Sequence, residues 1–178
     1  MQYKIQNITQ KFLESIKLPN PDNKQLNYLI VVPCYVENEN GIYSFPIGIA
    51  MISSALKASG RNVFTLNLNY KHDYPGTLRK SIVENNIDVV LTGGMCIHYQ
   101  LIAEIFDTAK AVNSSVITVI GGAIVSADPY ATITAIENAD YGIIGEGEIT
   151  VNELAYALES GSIMGGGAIR QLYQKKWR

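Results

Sequence analysis

The sequence is poor in the residues that hold secreted or metal-bound folds together. Its 178 residues include 2 cysteines and 2 histidines. Cys34 and Cys96 can make neither a disulfide framework nor a zinc site, and this usage of cysteine predicts a cytoplasmic location. A four-iron cluster needs cysteine ligands at close spacing, so we expect no iron–sulfur cluster on this chain.

Long apolar runs and an excess of one charge are also lacking. No apolar run reaches the roughly 20 residues needed to cross a bilayer, and the N-terminus is too polar for a signal peptide. The net charge is -2, which gives no reason to expect nucleic acid or an anionic membrane as a partner. The hydrophobic fraction of 47% excludes a disordered chain.

Five short apolar segments alternate with helical patterns from Tyr28 onwards. The first, at 28–33, is rich in β-branched residues, as expected of a strand buried on both faces, and the others lie at 62–69, 87–91, 115–120 and 141–144. This alternation predicts an α/β fold with a doubly wound, five-stranded parallel sheet. We expect the flavodoxin-like strand order 2-1-3-4-5, which is a Rossmann-like three-layer sandwich.

Helix signals predict where the helices begin and which faces they bury. Pro46 suits a first helical turn, and Asp128 suits an N-cap. Thr150 begins a capping-box spacing for the last helix, which Gly161 ends. We expect Ile105 to be fully buried in a helix over 98–112. The buried face of the helix after Pro46 is predicted to consist of Ile47, Ala50, Met51, Ser54 and Ala58.

The composition divides the chain into three parts. Residues 1–27 are predicted to form an N-terminal helix and linker, and residues 28–160 form the α/β domain. Residues 161–178, which contain the sequence GSIMGGG, are expected to be a tail or the start of a linker to a further domain. The chain is then either an N-terminal piece of a longer protein or a stand-alone binding module, and the unpatterned tail favours the former.

Flexible and polar residues follow four of the five predicted strands. In an open parallel sheet, the ligand crevice lies at the carboxyl ends of the strands. Glycines there let the backbone approach a ligand and expose amides to it, although tight turns alone would also use them. The candidate binding residues are Cys34, Tyr35, Glu37, Asn38, Thr92, Gly93, Gly94, Met95, Gly121, Gly122, Ala123, Gly145, Glu146 and Gly147.

Five segments between residues 28 and 160 resemble, in sequence and in order, the corresponding segments of a known family. They are FPIG (45–48), LKASG (56–60), DVV (88–90), IGG (120–122) and ADYGIIGEGE (139–148). Together they resemble the cobalamin-binding domain found at the N-terminus of many radical S-adenosylmethionine enzymes.

The resemblance implies a corrinoid ligand, cobalamin, with its cobalt. Its nucleotide tail is expected near residues 92–94 and 121–123, and its corrin ring over residues 34–45 and 145–148. A bulky replacement at Gly122 should then abolish binding and leave the fold intact. This chain alone should catalyse nothing, because the chemistry would belong to a radical S-adenosylmethionine domain in the same parent chain. That parent would be a methyltransferase or an oxidoreductase.

Histidine is missing from the position where the classical cobalamin enzymes carry it. Cobalamin mutases and methionine synthase have an Asp-x-His-x-x-Gly loop after the first strand, and its histidine ligates cobalt. Here that loop reads PCYVENENG (33–41). His72 follows the second strand with the wrong spacing, and His98 is expected to cap or pack at a helix start. Relatives attached to radical enzymes also commonly lack the histidine, so the resemblance implies binding without a protein histidine on cobalt.

Other families with this architecture do not fit the loops. A receiver domain needs acidic residues where this sequence has Val32 and Pro33, and a phosphorylatable aspartate where it has Thr92 and Gly93. The first turn also lacks the phosphate loop of a flavodoxin and the G-x-G-x-x-G of a dinucleotide-binding domain. No nucleophile elbow of a hydrolase is present. The remaining alternative is a small-ligand sensor or protein-interaction module that kept the fold but not the corrinoid.

Overall fold

The structure is a computed structural model that describes residues 18–35, 45–162 and 172–174. The N-terminal helix predicted within residues 1–27 falls on residues 1–17, which lie outside the described residues. The strands are β1 (Asn27–Val32), β2 (Asn62–Asn67), β3 (Val89–Gly93), β4 (Ile117–Gly121), β5 (Tyr141–Ile143) and β6 (Leu172–Gln174). The helices are α1 (Ile47–Ala58), α2 (Tyr74–Glu84), α3 (Tyr99–Val112), α4 (Ala123–Ala127), α5 (Pro129–Ala135) and α6 (Glu148–Ser160).

The strands form one sheet in the order β2-β1-β3-β4-β5-β6. All pairings from β1 to β5 are parallel, so the predicted five-stranded parallel sheet in the order 2-1-3-4-5 is confirmed. β6 adds an antiparallel edge strand, in which Leu172 pairs with Ile143. The sequence analysis did not predict β6, because three residues are too few to show an alternation of apolar and polar side chains.

Two hydrophobic clusters cover the two faces of the sheet. On one face, α2 and α3 pack against the sheet through Leu78, Ile105 and Phe106, and α4 and α5 join the same cluster. On the other face, α1 and α6 pack through Leu56 and Leu154. These clusters give the three layers that the alternation of strands and helices predicts. No helix among the described residues has both the length and the apolar character that a membrane crossing requires.

The predicted buried face of α1 was wrong. Ile47, Met51, Ser54 and Ala58 are exposed, and the buried side chains are Ser53, Ala55 and Leu56. The helix carries apolar residues on nearly all sides, so its periodicity fits more than one face. The face that packs is fixed by the contacts of α1 with α6 and the sheet, and these contacts leave an apolar edge of α1 in solvent.

Most other helix signals were read correctly. Ile105 is buried in α3 with 1% of its surface exposed. The Asp128 carboxylate accepts a hydrogen bond from the Ala131 amide at the start of α5, and Gly161 ends α6 in the left-handed conformation. The Thr150 capping box was wrong, because α6 already begins at Glu148 and Thr150 is buried within its first turn. The short helix α4 was not predicted.

Candidate functional site

A cavity of about 380 Å³ opens at the carboxyl ends of the parallel strands. It lies on the face of the sheet that α1 and α6 cover, because its floor consists of strand residues that belong to that cluster. The floor residues are Ile30, Leu91, Val119 and Ile143. The first turn of α1 and the segment leading into α6 form its walls. This is the position at which open parallel sheets bind ligands.

Glycines bring the ends of β3 and β4 into close contact at the rim of the cavity, which consists of residues 93–95 and 121–122. A β-carbon on Gly93 would lie 2.5 Å from the carbonyl oxygen of Gly121. A β-carbon on Gly122 would lie 2.9 Å from the carbonyl oxygen of Gly94. Gly122 also has a φ of +87°, a backbone angle that residues other than glycine rarely adopt. The Ile124 amide donates to the Gly94 carbonyl. Backbone atoms therefore form this rim.

Gly121 differs from these neighbours. An added β-carbon there would have no heavy atom within 4 Å. Gly121 is two residues beyond Val119 on β4, so a side chain at either position points to the same face of the sheet, and both residues line the cavity. The space above Gly121 is therefore cavity space that a side chain would fill.

Tyr35 and His98 hold the end of β3 from outside the strand. The Tyr35 hydroxyl donates to the Gly93 carbonyl over 3.0 Å, and the Met95 amide donates to Nδ1 of His98 over 3.1 Å. The two rings are in contact, with centroids 4.3 Å apart. Burial raises the pKa of Tyr35 and lowers the pKa of His98, so both side chains are neutral near pH 7.

Two carboxylates stand at the wall that α6 provides. Glu146 is exposed and Glu148 is half-buried in the first turn of the helix. Gly147, the N-cap residue, has no side chain to bond the first amides of α6, and a β-carbon there would lie 2.7 Å from Ile52 of α1. No lysine or arginine occurs among the described residues that line the cavity. The described lining therefore suits a mostly uncharged ligand with hydrogen-bond donors.

The family model described as the B12 binding domain matches residues 40–155. The chain belongs to this family. B12 is cobalamin, so the family assignment makes cobalamin the ligand class of this chain. The cavity lies inside the matched segment, apart from Ile30 and Tyr35.

A solved structure shares the fold of this B12-binding domain. It is the apo form of OxsB, a cobalamin-dependent S-adenosylmethionine radical enzyme, with a TM-score of 0.58 and 17% sequence identity. The similarity covers 78% of this chain and 19% of the OxsB chain. At this identity it shows a common fold and no more. No curated protein matches the sequence.

Most residues proposed from the sequence line the cavity of the B12-binding domain. The structure brings together Tyr35, Thr92, Gly93, Gly94, Met95, Gly121, Gly122, Ala123, Gly145, Glu146 and Gly147. Cys34 is not among the lining residues, because its side chain is buried in the cluster on the opposite face of the sheet. Glu37 and Asn38 lie outside the described residues. That these side chains bind the cofactor stays a prediction.

Sequence reasoning missed the floor and the α1 wall. The residues of the α1 wall are Pro46, Gly48, Ile49 and Ile52. Glu148, which also lines the cavity, lies in the segment 145–148 over which the corrin ring was expected. Alternation along the strands could have identified the floor, since the floor residues of all four strands lie on one face of the sheet. The α1 wall gave no such signal, because the predicted buried face of that helix was wrong.

The described residues hold no group of three or more histidine, cysteine, aspartate or glutamate side chains that could bind a metal ion. His72 is exposed in the loop between β2 and α2, and it is not among the residues that line the cavity. His98 lies beside the cavity through its contact with Tyr35, but it is not a lining residue either.

Proposed function

We propose that the cavity at the carboxyl edge of the sheet holds cobalamin and that no protein histidine ligates its cobalt. The observation that carries the proposal is the placement of the cavity, which lies within the matched B12-binding segment and has a floor made by four parallel strands. Its volume is in the range of ligand sites. Because a whole corrinoid is larger, the cavity would take the nucleotide tail, and the corrin ring would lie over its mouth.

The chemistry of the lining fits this ligand. The apolar floor can bury the aromatic base of the tail. The rim at residues 93–95 and 121–122 consists of backbone, which leaves room for the tail close to the sheet. The corrin ring carries primary amides, whose N–H groups would donate to Glu146 and Glu148. A dinucleotide fits less well than the tail, since it carries two phosphate charges where the tail carries one, and the described lining provides no cationic side chain to neutralise them.

We further propose that this domain serves an enzyme rather than being one. When bound, cobalamin supplies organometallic or redox chemistry at cobalt, and the protein positions it. The similarity to a segment of OxsB, a cobalamin-dependent S-adenosylmethionine radical enzyme, supports a parent chain that contains a radical S-adenosylmethionine domain. The residues of this chain would then bind and orient the cofactor for chemistry performed on that domain.

Co-elution with cobalamin tests the proposed function. The purified chain is incubated with hydroxocobalamin and desalted, and the visible spectrum of the protein fraction is recorded. We expect a corrinoid spectrum in the protein fraction at a ratio that saturates with added hydroxocobalamin. Complete separation of corrinoid and protein would instead support the sensor or protein-interaction alternative.

The electron paramagnetic resonance spectrum of the bound Co(II) form tests the absence of a histidine ligand. An imidazole nitrogen on cobalt splits the spectrum, and we expect no splitting that depends on His72 or His98. The His72→Ala protein should give the same affinity and the same spectrum as the wild type. A nitrogen splitting that disappears in either histidine variant would contradict the proposal.

A further inference from the structure

The imidazole of His98 makes three contacts at the edge of the cavity. Its Nδ1 accepts a hydrogen bond from the Met95 amide, and its ring lies against that of Tyr35. A β-carbon on Gly94 would lie 2.7 Å from the same nitrogen, so the glycine permits the close approach of the ring. Tyr35, Gly94 and Met95 all line the cavity. The histidine therefore touches the rim without facing the ligand space itself.

We infer that the neutral imidazole of His98 is a positioning residue for the cobalamin cavity, and that its protonation loosens the Gly93–Met95 rim and weakens binding. The inference rests on the proposed function for the identity of the ligand. Its structural part, the release of the rim, concerns the ligand-free chain as well.

The hydrogen bond of Nδ1 sets the direction of the effect. A neutral imidazole can accept at Nδ1, whereas an imidazolium carries a proton on both ring nitrogens and can only donate. On protonation, the Met95 amide would face an N–H group and lose its acceptor. The Tyr35 ring packs against the same imidazole and bonds the Gly93 carbonyl, so a displaced ring disturbs the rim at two points.

Few charged groups among the described residues lie where they could affect the protonation of His98. Among the described residues, Tyr35 is in contact with it, and the titratable residues Cys96 and Tyr99 lie on its own segment. Glu146 and Glu148 line the cavity from α6. Within the described ranges no carboxylate forms an ion pair with His98, so no described carboxylate would stabilise its imidazolium. Burial lowers its pKa, which places the loss of binding below about pH 6.5.

The test measures hydroxocobalamin affinity by equilibrium dialysis between about pH 5 and about pH 8. We expect constant affinity at neutral pH and, below the pKa of His98, a fall of about tenfold per pH unit as one proton is linked to release. The His98→Asn protein keeps an acceptor near the position of Nδ1 and cannot take up a proton. It should bind within about threefold of wild type at pH ~8 and show no such fall.

Two further variants sharpen the result. His98→Ala removes the acceptor and should bind weakly at every pH, whereas His72→Asn, which changes the other histidine, should keep the wild-type pH profile. An acid loss of affinity that persists in His98→Asn would overturn the inference, as would a flat wild-type profile.

Nuclear magnetic resonance on the ligand-free chain separates the two proposals. We expect the Met95 amide signal to shift with the same midpoint as the His98 imidazole, and this shift to be absent from His98→Asn. If hydroxocobalamin fails to bind at any pH, the proposed function is wrong, and the Met95 titration still decides whether His98 holds the rim. If the Met95 amide signal does not shift as His98 titrates, the inference is overturned whatever the binding result.

Discussion

A β-carbon on Gly93 would lie 2.5 Å from the carbonyl oxygen of Gly121 on the adjacent strand. β3 and β4 are paired at these two residues, and their backbones carry the rim of the cavity. The relationship is not symmetric, because a β-carbon on Gly121 would meet no heavy atom within 4 Å. Gly93 is therefore required by the packing of the strands, whereas the space beside Gly121 is available to a ligand.

Two alanine substitutions test this asymmetry. Gly93→Ala should lower the free energy of unfolding by about 1–3 kcal/mol, since the methyl group must push a backbone carbonyl aside. Gly121→Ala should change it by no more than about 1 kcal/mol. Urea denaturation of both proteins measures the difference. Equal midpoints for the two variants would show that the strands separate freely at this position.

A buried ion pair joins the start of β2 to the end of α6. Arg61 donates from Nε and Nη2 to the two oxygens of Glu159 over 2.9 Å and 3.0 Å, and the Tyr28 hydroxyl donates to the same carboxylate. Both side chains of the pair are almost fully buried. Arg61→Met leaves the carboxylate buried without its cation and should cost about 3–5 kcal/mol. Thermal or urea unfolding measures this loss.

The exposed pair of Lys80 and Glu84, 3.8 Å apart, is the matched control for the buried one. Lys80→Met should change stability by less than about 1 kcal/mol, because water screens an exposed pair. The double variant Arg61→Met with Glu159→Leu should lose less than the sum of the single variants, since both charges leave together. Additive losses would show that the two side chains act independently.

Ile105 should be among the most costly positions of α3 to truncate. It is buried in the cluster between α3 and the sheet, so Ile105→Ala should cost ~2–5 kcal/mol in denaturant unfolding. Leu101→Ala on the same helix removes a half-buried side chain and should cost less. An unchanged midpoint for Ile105→Ala would mean that the cluster refills the space.

The parallel sheet could be predicted because its signals are local and repeated. Each of the five strands is a short apolar run, and turn residues such as Gly60 and the Asp128–Pro129 pair separate the elements. The face of α1 and the existence of β6 could not be predicted, since both depend on contacts with distant parts of the chain. Leu172 forms a strand because β5 offers it an edge at Ile143.

The candidate site was predicted in part for the same reason. Glycine clusters after β3, β4 and β5 marked the carboxyl edge, and the topology brings them to one cavity. Cys34 follows a strand as well, but its side chain turns to the opposite face. The sequence also does not reveal why a glycine is present. Gly122 has a φ of +87°, and a β-carbon there would lie 2.9 Å from the Gly94 carbonyl oxygen, so we now expect a bulky residue at this position to strain the fold as well as to weaken binding. The cytoplasmic location stays a prediction.

Hydroxocobalamin titration of the Gly121→Phe protein tests the proposal that this cavity holds cobalamin. The new ring would occupy the space above Val119 while leaving the strands paired. The control is Val83→Phe, which adds the same side chain at an exposed position of α2, on the opposite face of the sheet. We expect Gly121→Phe to lower the affinity at least about tenfold, which is about 1.4 kcal/mol of binding free energy, with Val83→Phe unchanged and both proteins folded. Wild-type affinity in a folded Gly121→Phe protein would contradict the claim and place the ligand elsewhere.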